Sequence, residues 1–256
     1  MTGKSFAERD RALFDRIASG YARKDLSPAA QLARRQRLEQ TLLHLPRPTG
    51  LDMLEVGCGA GFAADYLEGR YQSYLGIDYS AELIRFAEQE NRRKGAEFLC
   101  LDIEALTSER QFDTIFMIGV LHHLEKPLEV MQQLRKLLRP GGVLVVNEPQ
   151  RGNPVVGMAR KLRKKFDSGY SEDQREYSPE ELVSLFKEAG YTEVSAFPQG
   201  LLSTPFAEIV MPFQKIATNV ARLSCAADRW LESHNNALTR RLAWNVVVQG
   251  RPAERA

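Results

Sequence analysis

From Leu51 onward, short apolar runs alternate with stretches whose apolar side chains recur at helical spacing. The runs predict strands over 51–56, 73–77, 97–100, 112–118, 142–148, 191–197 and 243–249. The spaced stretches predict helices near 60–68, 80–93, 126–138 and 178–189. In "SPEELVSLFKEAG", Ser178 takes the N-cap, Pro179 the first helical position, and Glu181 closes a capping box before Gly190 ends the helix. Its Leu182, Leu185, Phe186 and Ala189 share one face. In "KPLEVMQQLRKLLRPGG", Leu128, Met131, Leu134 and Leu138 turn inward and Pro140-Gly141-Gly142 is the stop. Strand–helix alternation of this kind requires a parallel sheet covered on both faces.

Residues 7–44 read as charged helices broken at Asp25-Leu26-Ser27-Pro28, and "LPRPTG" separates them from the first strand. Two segments fall outside the alternation. Residues 150–177 hold the basic "ARKLRKKF" and the polar "DSGYSEDQREY", and residues 199–240 predict a long helical insertion before the last strand. The chain thus divides into an N-terminal helical cap, 1–48, and a main domain, 49–256. Within that domain 150–177 and 199–240 are insertions on the lid or acceptor side.

Bulk composition narrows the function. At 256 residues, 43% hydrophobic and 27% charged, the chain reads as a globular domain with a sizeable core. A net charge of +2 is too small to make nucleic acid a bulk partner. Cys58, Cys100 and Cys225 are scattered without a C-x-x-C pair, so neither a disulfide framework nor a metal site is expected, and a reducing cytoplasm is the simplest location. "MTGKSFAERDRALFDR" lacks the apolar centre of a secretory signal, and no run of about 18 apolar residues exists to span a membrane.

Four stretches carry chemistry. "LEVGCGAGF", 54–62, places Gly57, Gly59 and Gly61 at every second position after an apolar run. Such glycines let a backbone approach a ligand closely, and the following helix offers free N–H groups, although a merely tight turn reads the same way. "YLGIDYS" ends the next strand on Asp78, which can accept ribose hydroxyls or simply begin a turn. "FLCLDIEAL" ends on Asp102, an acceptor for an exocyclic amine or an N-cap for 103–108, with Ile103 as an apolar edge. "FDTIFMIGVLHHLEKP" runs into His122 and His123, at the end of a strand where ligands of open α/β sheets sit. Either histidine could take a proton near neutral pH, or could only pack. An NAD site expects Gly or Ala where this chain has Phe62.

With "LRPGGVLVVNEP" added, these stretches resemble, in order, the motifs of class I S-adenosylmethionine-dependent methyltransferases over about residues 50–197. They are most similar to the broad group of small bacterial members with an LHHL loop. The resemblance implies an α/β fold: a Rossmann-like, doubly wound, seven-stranded, mostly parallel sheet with its last strand, in "LAWNVVVQG", antiparallel. N-terminal helices and a helical insertion before that strand complete it. It also implies S-adenosyl-L-methionine as cofactor, S-adenosyl-L-homocysteine as product, and no metal. By matching position, Glu55, Gly57, Cys58, Gly59 and Gly61 would line the methionine end of the cofactor. Asp78 would hold the ribose, Tyr79 would lie against adenine, and Asp102 and Ile103 would flank the ring. Ile118 and Gly119 would lie beside the methionine part, and "FDRIASGYARK", 14–24, would cover the site with Tyr21 as a lid contact. His122 and His123 are the candidates for a base. Asp78→Ala is expected to weaken cofactor affinity while leaving the fold intact.

The acceptor must be read outside this core. "LLSTPFAEIVMPFQKIATNVARL", 201–223, carries only Glu208, Lys215 and Arg222 as charges, and 160–165 read "RKLRKK". A lid over an apolar acceptor, an interfacial helix at the inner face of a membrane, a sheet-edge helix and a homodimer contact all fit the first stretch. Together the two stretches lean towards a small-molecule or lipid-like hydrophobic acceptor, methylated on O, N or C. A nucleic-acid acceptor is not expected, since no Asn-Pro-Pro-Tyr tetrapeptide follows the fourth strand. The alternative function is a non-catalytic S-adenosylmethionine-binding regulator or scaffold.

Overall fold

The computed structural model describes residues 11–16, 18, 20, 26–45, 47, 49–91, 93–106, 109–153 and 176–253. Tyr21 and the basic run 160–165 lie outside them. The first half of the order is α1 (Pro28–Thr41), β1 (Leu51–Val56), α2 (Phe62–Tyr66), β2 (Tyr71–Asp78), α3 (Ala81–Glu90), β3 (Ala96–Cys100), β4 (Phe112–Ile118) and α4 (Pro127–Lys136). There follow β5 (Leu138–Pro149), α5 (Pro179–Glu188), β6 (Tyr191–Gln199), α6 (Thr204–Glu208), α7 (Gln214–Ser233), α8 (Ala237–Leu242) and β7 (Asn245–Pro252). Short 3₁₀ turns sit at Ile103–Ala105 and Leu121–His123, and residues 11–16 are helical.

The seven strands form one sheet in the order β3-β2-β1-β4-β5-β7-β6. The pairs β1/β2, β2/β3, β1/β4 and β4/β5 are parallel, and β7 runs antiparallel to both its neighbours. This is the Rossmann-like, mostly parallel sheet with an antiparallel last strand that the resemblance implies. The order reverses between β1 and β4, so the crevice for a ligand opens at the carboxyl ends of those strands and β2.

The central strands are buried on both faces, which is why they read as continuous apolar runs. Leu54, Val56, Ile115, Met117, Leu144 and Val146 pack on one face with Met131 and Leu134 of α4 and Leu182 and Phe186 of α5. Met53, Phe116, Val143 and Val145 pack on the other with Leu38 of α1 and Ile84 and Ala87 of α3. Phe112, Phe116 and Phe186 are fully buried, each worth roughly 1.5–3 kcal/mol against exposure. Side chains cap the helices as their sequence requires. Ser178 accepts the Glu181 N–H, Glu181 accepts the Ser178 N–H, and Ser80 accepts the Leu83 N–H.

One boundary differs from the expected pattern. The helix predicted to 138 ends at Lys136, because the Phe112 N–H donates to Leu137 O and Leu138 pairs with Phe112, so the strand predicted at 142 begins at 138. The helical insertion expected over 199–240 is made of α6, α7 and α8. Asp228 of α7 ties the turn between β6 and α6 to that helix: its buried carboxylate accepts the N–H groups of Leu201, Leu202 and Ser203 and the Ser203 hydroxyl. Small residues then let helices approach: Ala217 and Ala221 of α7 pack on Ala29 of α1. The N-terminal helix and the insertion thereby form one helical layer beside the sheet.

Candidate active site

The glycine turn leaves β1 and folds over the end of β2. The Gly57 and Cys58 N–H groups both donate to Ile77 O, at 2.8 and 3.0 Å. Gly57, Gly59 and Gly61 all have left-handed backbone, φ between 54° and 77°. A Cβ on Gly57 would overlap the Val120 side chain, and one on Gly61 would lie 2.8 Å from Ala87 and Phe98. Gly61 lines no described cavity; it allows α2 to pack on α3 and β3.

Asp78 is buried and holds this turn. One carboxylate oxygen accepts the Gly59 N–H at 2.9 Å and the other accepts the Ser80 N–H at 2.9 Å. Burial pushes its carboxyl above the ordinary value; the two N–H donors oppose that rise, nearby Asp15 adds to it, and His123 pulls it back. Asp78 is therefore structural as well as exposed to the crevice. Removing its carboxylate leaves two buried donors unsatisfied, at about 1–3 kcal/mol each, so Asp78→Ala should lower stability as well as cofactor affinity.

A cavity of about 240 Å³ opens beside it, walled by Asp78, Tyr79, Leu101, Asp102, Ile103, Ile118 and Gly119. Asp102 caps the 103–105 turn through the Glu104 N–H and faces this cavity too, so its two sequence readings coexist. Phe14 closes one side, with its ring centroid 6.1 Å from that of Tyr79 and 5.5 Å from that of His123. Phe14 belongs to the segment 14–24 that the resemblance places over the cofactor; the rest of that expectation, Tyr21 included, falls largely outside the described residues.

A second cavity of about 120 Å³ shares Gly57, Gly59 and Ile118 with the first. Its other walls include Glu55 from β1, Cys58 and Ala60 from the turn, Arg34 and Arg37 from α1, and Glu208 from α6. The Arg37 guanidinium pairs with Glu208 at 2.6 Å, and Arg34 Nε donates to Ala207 O at 3.0 Å. Buried Glu55 accepts the Tyr74 hydroxyl beneath the turn. The Cys58 thiol points into the core against Gly76, where burial and the Glu55 and Asp78 charges raise it well above its ordinary value. It is no nucleophile.

The two histidines separate in role. His122 Nδ1 lies 2.6 Å from Glu148 Oε2, at the end of β5, and Glu148 is 0% exposed. The other Glu148 oxygen accepts the N–H groups of Val120 and Leu121, at 2.9 and 2.7 Å. Glu148 therefore fixes both the loop and the imidazole. A carboxylate on Nδ1 sets the Nδ1–H tautomer and leaves Nε2 as a proton acceptor. His123 lines the larger cavity instead, its ring 4.1 Å from that of His122.

Sequence reasoning missed Glu148, Phe14, Arg34, Arg37 and Glu208. The signal for Glu148 was present: a carboxylate ending an otherwise buried strand, "VLVVNEP", needs a partner. Among the described residues no group of His, Cys, Asp and Glu could hold a metal, and no helix is long and apolar enough to cross a membrane.

A family model described as a methyltransferase domain matches residues 54–144. A tRNA U34 carboxymethyltransferase of Pseudoalteromonas translucida is 34% identical over 112 residues, 42% of this chain and 35% of that protein. A ubiquinone biosynthesis O-methyltransferase of Psychrobacter arcticus is 32% identical over 155 residues, 56% of this chain and 60% of that protein. The chain thus spans about a third of the first relative and three fifths of the second. Among solved structures, an S-adenosylmethionine-dependent methyltransferase of Thermotoga maritima superposes with a TM-score of 0.66 at 20% identity, covering 94% of this chain and 99% of that one. That likeness is one of fold. The expectation that nucleic acid is excluded loses support, because several relatives are named for tRNA.

Proposed function

We propose that this chain, which carries a class I S-adenosylmethionine-dependent methyltransferase domain, transfers a methyl group to a small-molecule or lipid-like hydrophobic acceptor. The observation that supports cofactor use is the pair of cavities meeting at Gly57, Gly59 and Ile118. One has the apolar walls and carboxylates a nucleoside needs; the other has arginines and a carboxylate suited to the charged ends of an amino acid. Gly57 and Gly59 line both cavities without side chains, so the backbone of the turn can lie against such a ligand. The donor set fits S-adenosylmethionine; the N–H groups of Gly57, Cys58, Gly59 and Gly61, which a pyrophosphate would need, already donate to Ile77 O, Asp78 and Cys58 O.

When bound, that cofactor supplies a methyl group on a sulfonium that is already a good leaving group. Asp78 and Asp102 keep lone pairs for ribose hydroxyls and an exocyclic amine, while Tyr79, Ile103 and Phe14 exclude water from the ring. Arg34 and Arg37 attract the carboxylate, and Glu55 the ammonium. Holding two reactants in line can supply roughly 7–11 kcal/mol of the barrier. His122, oriented by Glu148, receives the acceptor's proton, a contribution of about 10²–10⁴-fold where the acceptor is a hydroxyl. His123 borders Asp78 and serves the cofactor side.

Calorimetry with S-adenosylhomocysteine and with NADH tests the cofactor; binding of NADH alone would overturn the reading. Labelled methyl transfer into a cell extract tests the activity, and retained cofactor without labelled product would favour a regulator or scaffold. The relatives named for tRNA favour a second reading, with nucleic acid as acceptor. Label that disappears on nuclease treatment selects that reading, and label extracted into organic solvent selects the first.

A further inference from the structure

We propose that the outer face of α7 and the loop before it dock on an anionic lipid bilayer. The loop 209–213 exposes Ile209, Val210 and Phe213, and Phe213 is 80% exposed on left-handed backbone, φ 53°. A bulky residue held in that conformation at a loop tip is strained, and here it presents an aromatic ring to solvent. From it the apolar surface continues along α7 through Ile216, 66% exposed, then Val220, Leu223 at 72% and Trp230 at 64%. These positions share one stripe at helical spacing. The opposite stripe is already used: Ala217, Ala221 and Cys225 pack inward.

Charge decides what covers the outer stripe. The exposed charges of α7 are Lys215, Arg222 and Arg229, the last also donating to Gln36 of α1. Its acidic side chains, Asp228 and Glu232, are both buried and bound to the 200–203 turn. An apolar stripe flanked by cations matches an anionic interface. A second copy of the chain would instead set Lys215 and Arg222 against the same cations. The loop also adjoins the site: Ile209 directly follows Glu208, which lines the smaller cavity. Docking would therefore bring a bilayer to the mouth of the crevice, the source a lipid-like acceptor needs; that last step rests on the methyltransferase reading, while docking itself does not.

The test is co-sedimentation of the full chain with phosphatidylcholine vesicles, with and without about one third phosphatidylglycerol. Binding to the anionic vesicles is expected, weakened about tenfold or more in Phe213→Ser/Ile216→Ser and shifted towards neutral behaviour in Lys215→Glu/Arg222→Glu. Light scattering without lipid should give a monomer. Equal failure with both vesicles, binding unchanged in the Phe213→Ser/Ile216→Ser variant, or a dimer broken by that variant would each overturn the proposal. S-adenosylhomocysteine affinity, measured in parallel, should be unchanged in all variants, so failure of docking and failure of the cofactor reading are told apart.

Discussion

Replacing Glu148 by glutamine removes one charge and almost no volume, so its consequences can be worked out from the hydrogen bonds alone. In the native site one oxygen accepts two backbone N–H groups and the other faces His122 Nδ1. In the Glu148→Gln variant the amide carbonyl keeps the two backbone donors, which places the amide NH₂ against Nδ1. That group can only donate, so Nδ1 must become the acceptor and the proton moves to Nε2. His122, the proposed base, would then have no lone pair where the acceptor's proton arrives. Methyl transfer into extract should fall by about 10²–10⁴-fold, the full contribution of a positioned base. Hydrogen bonds to a charged group become neutral ones, which costs on the order of 1–2 kcal/mol of stability. Long-range ¹H–¹⁵N spectra of labelled histidine read the tautomer directly, and calorimetry should find S-adenosylhomocysteine affinity within about twofold, since Glu148 lines neither cavity. A persistent Nδ1–H tautomer, or transfer within about threefold of the native chain, would refute the reasoning.

Asp78→Asn should weaken S-adenosylhomocysteine binding by at least about tenfold and lower stability by roughly 1–3 kcal/mol, because the amide cannot accept from both Gly59 and Ser80; calorimetry and thermal melts check both. Gly57→Ala should cost about 1–3 kcal/mol from left-handed strain and overlap with Val120, and adding Val120→Ala should recover the overlap part but not the strain, as urea titration would show. Burial raises the Glu232 carboxyl from 4.5 to about 8. The native state thus holds that proton more tightly than the unfolded chain, and the stability it lends is full below about pH 4 and lost as pH rises through about 8. Between about pH 6 and 9 the native chain should lose on the order of 3 kcal/mol, and Glu232→Gln, which keeps an acceptor for the Gly200 N–H, should flatten most of that slope.

The architecture was legible because its signals are local. Apolar runs and helical spacing in 51–148 announce strands and helices before any tertiary contact exists, and Ser80 and Ser178 cap the helices they precede. The glycine turn, Asp78 and Asp102 were legible for the same reason: each ends a strand that leads to one edge of the sheet. Boundaries failed where a distant strand competed. Leu138 looks helical by spacing, yet pairing with Phe112 claims it.

By itself, the sequence determined a parallel sheet with a ligand crevice at its carboxyl edge, since period and turn chemistry are properties of neighbouring residues. Only the tertiary structure decided which side chains face that crevice. Glu148 becomes the partner of His122 through strand pairing across 26 residues, and Phe14 becomes a wall because α-helical packing returns the N-terminus to the sheet. Within the turn, the Cys58 thiol packs into the core against Gly76, and Gly61 serves the packing of α2 on α3 and β3. Orientation and long-range register are set by packing summed over the whole chain, and no local pattern encodes that sum.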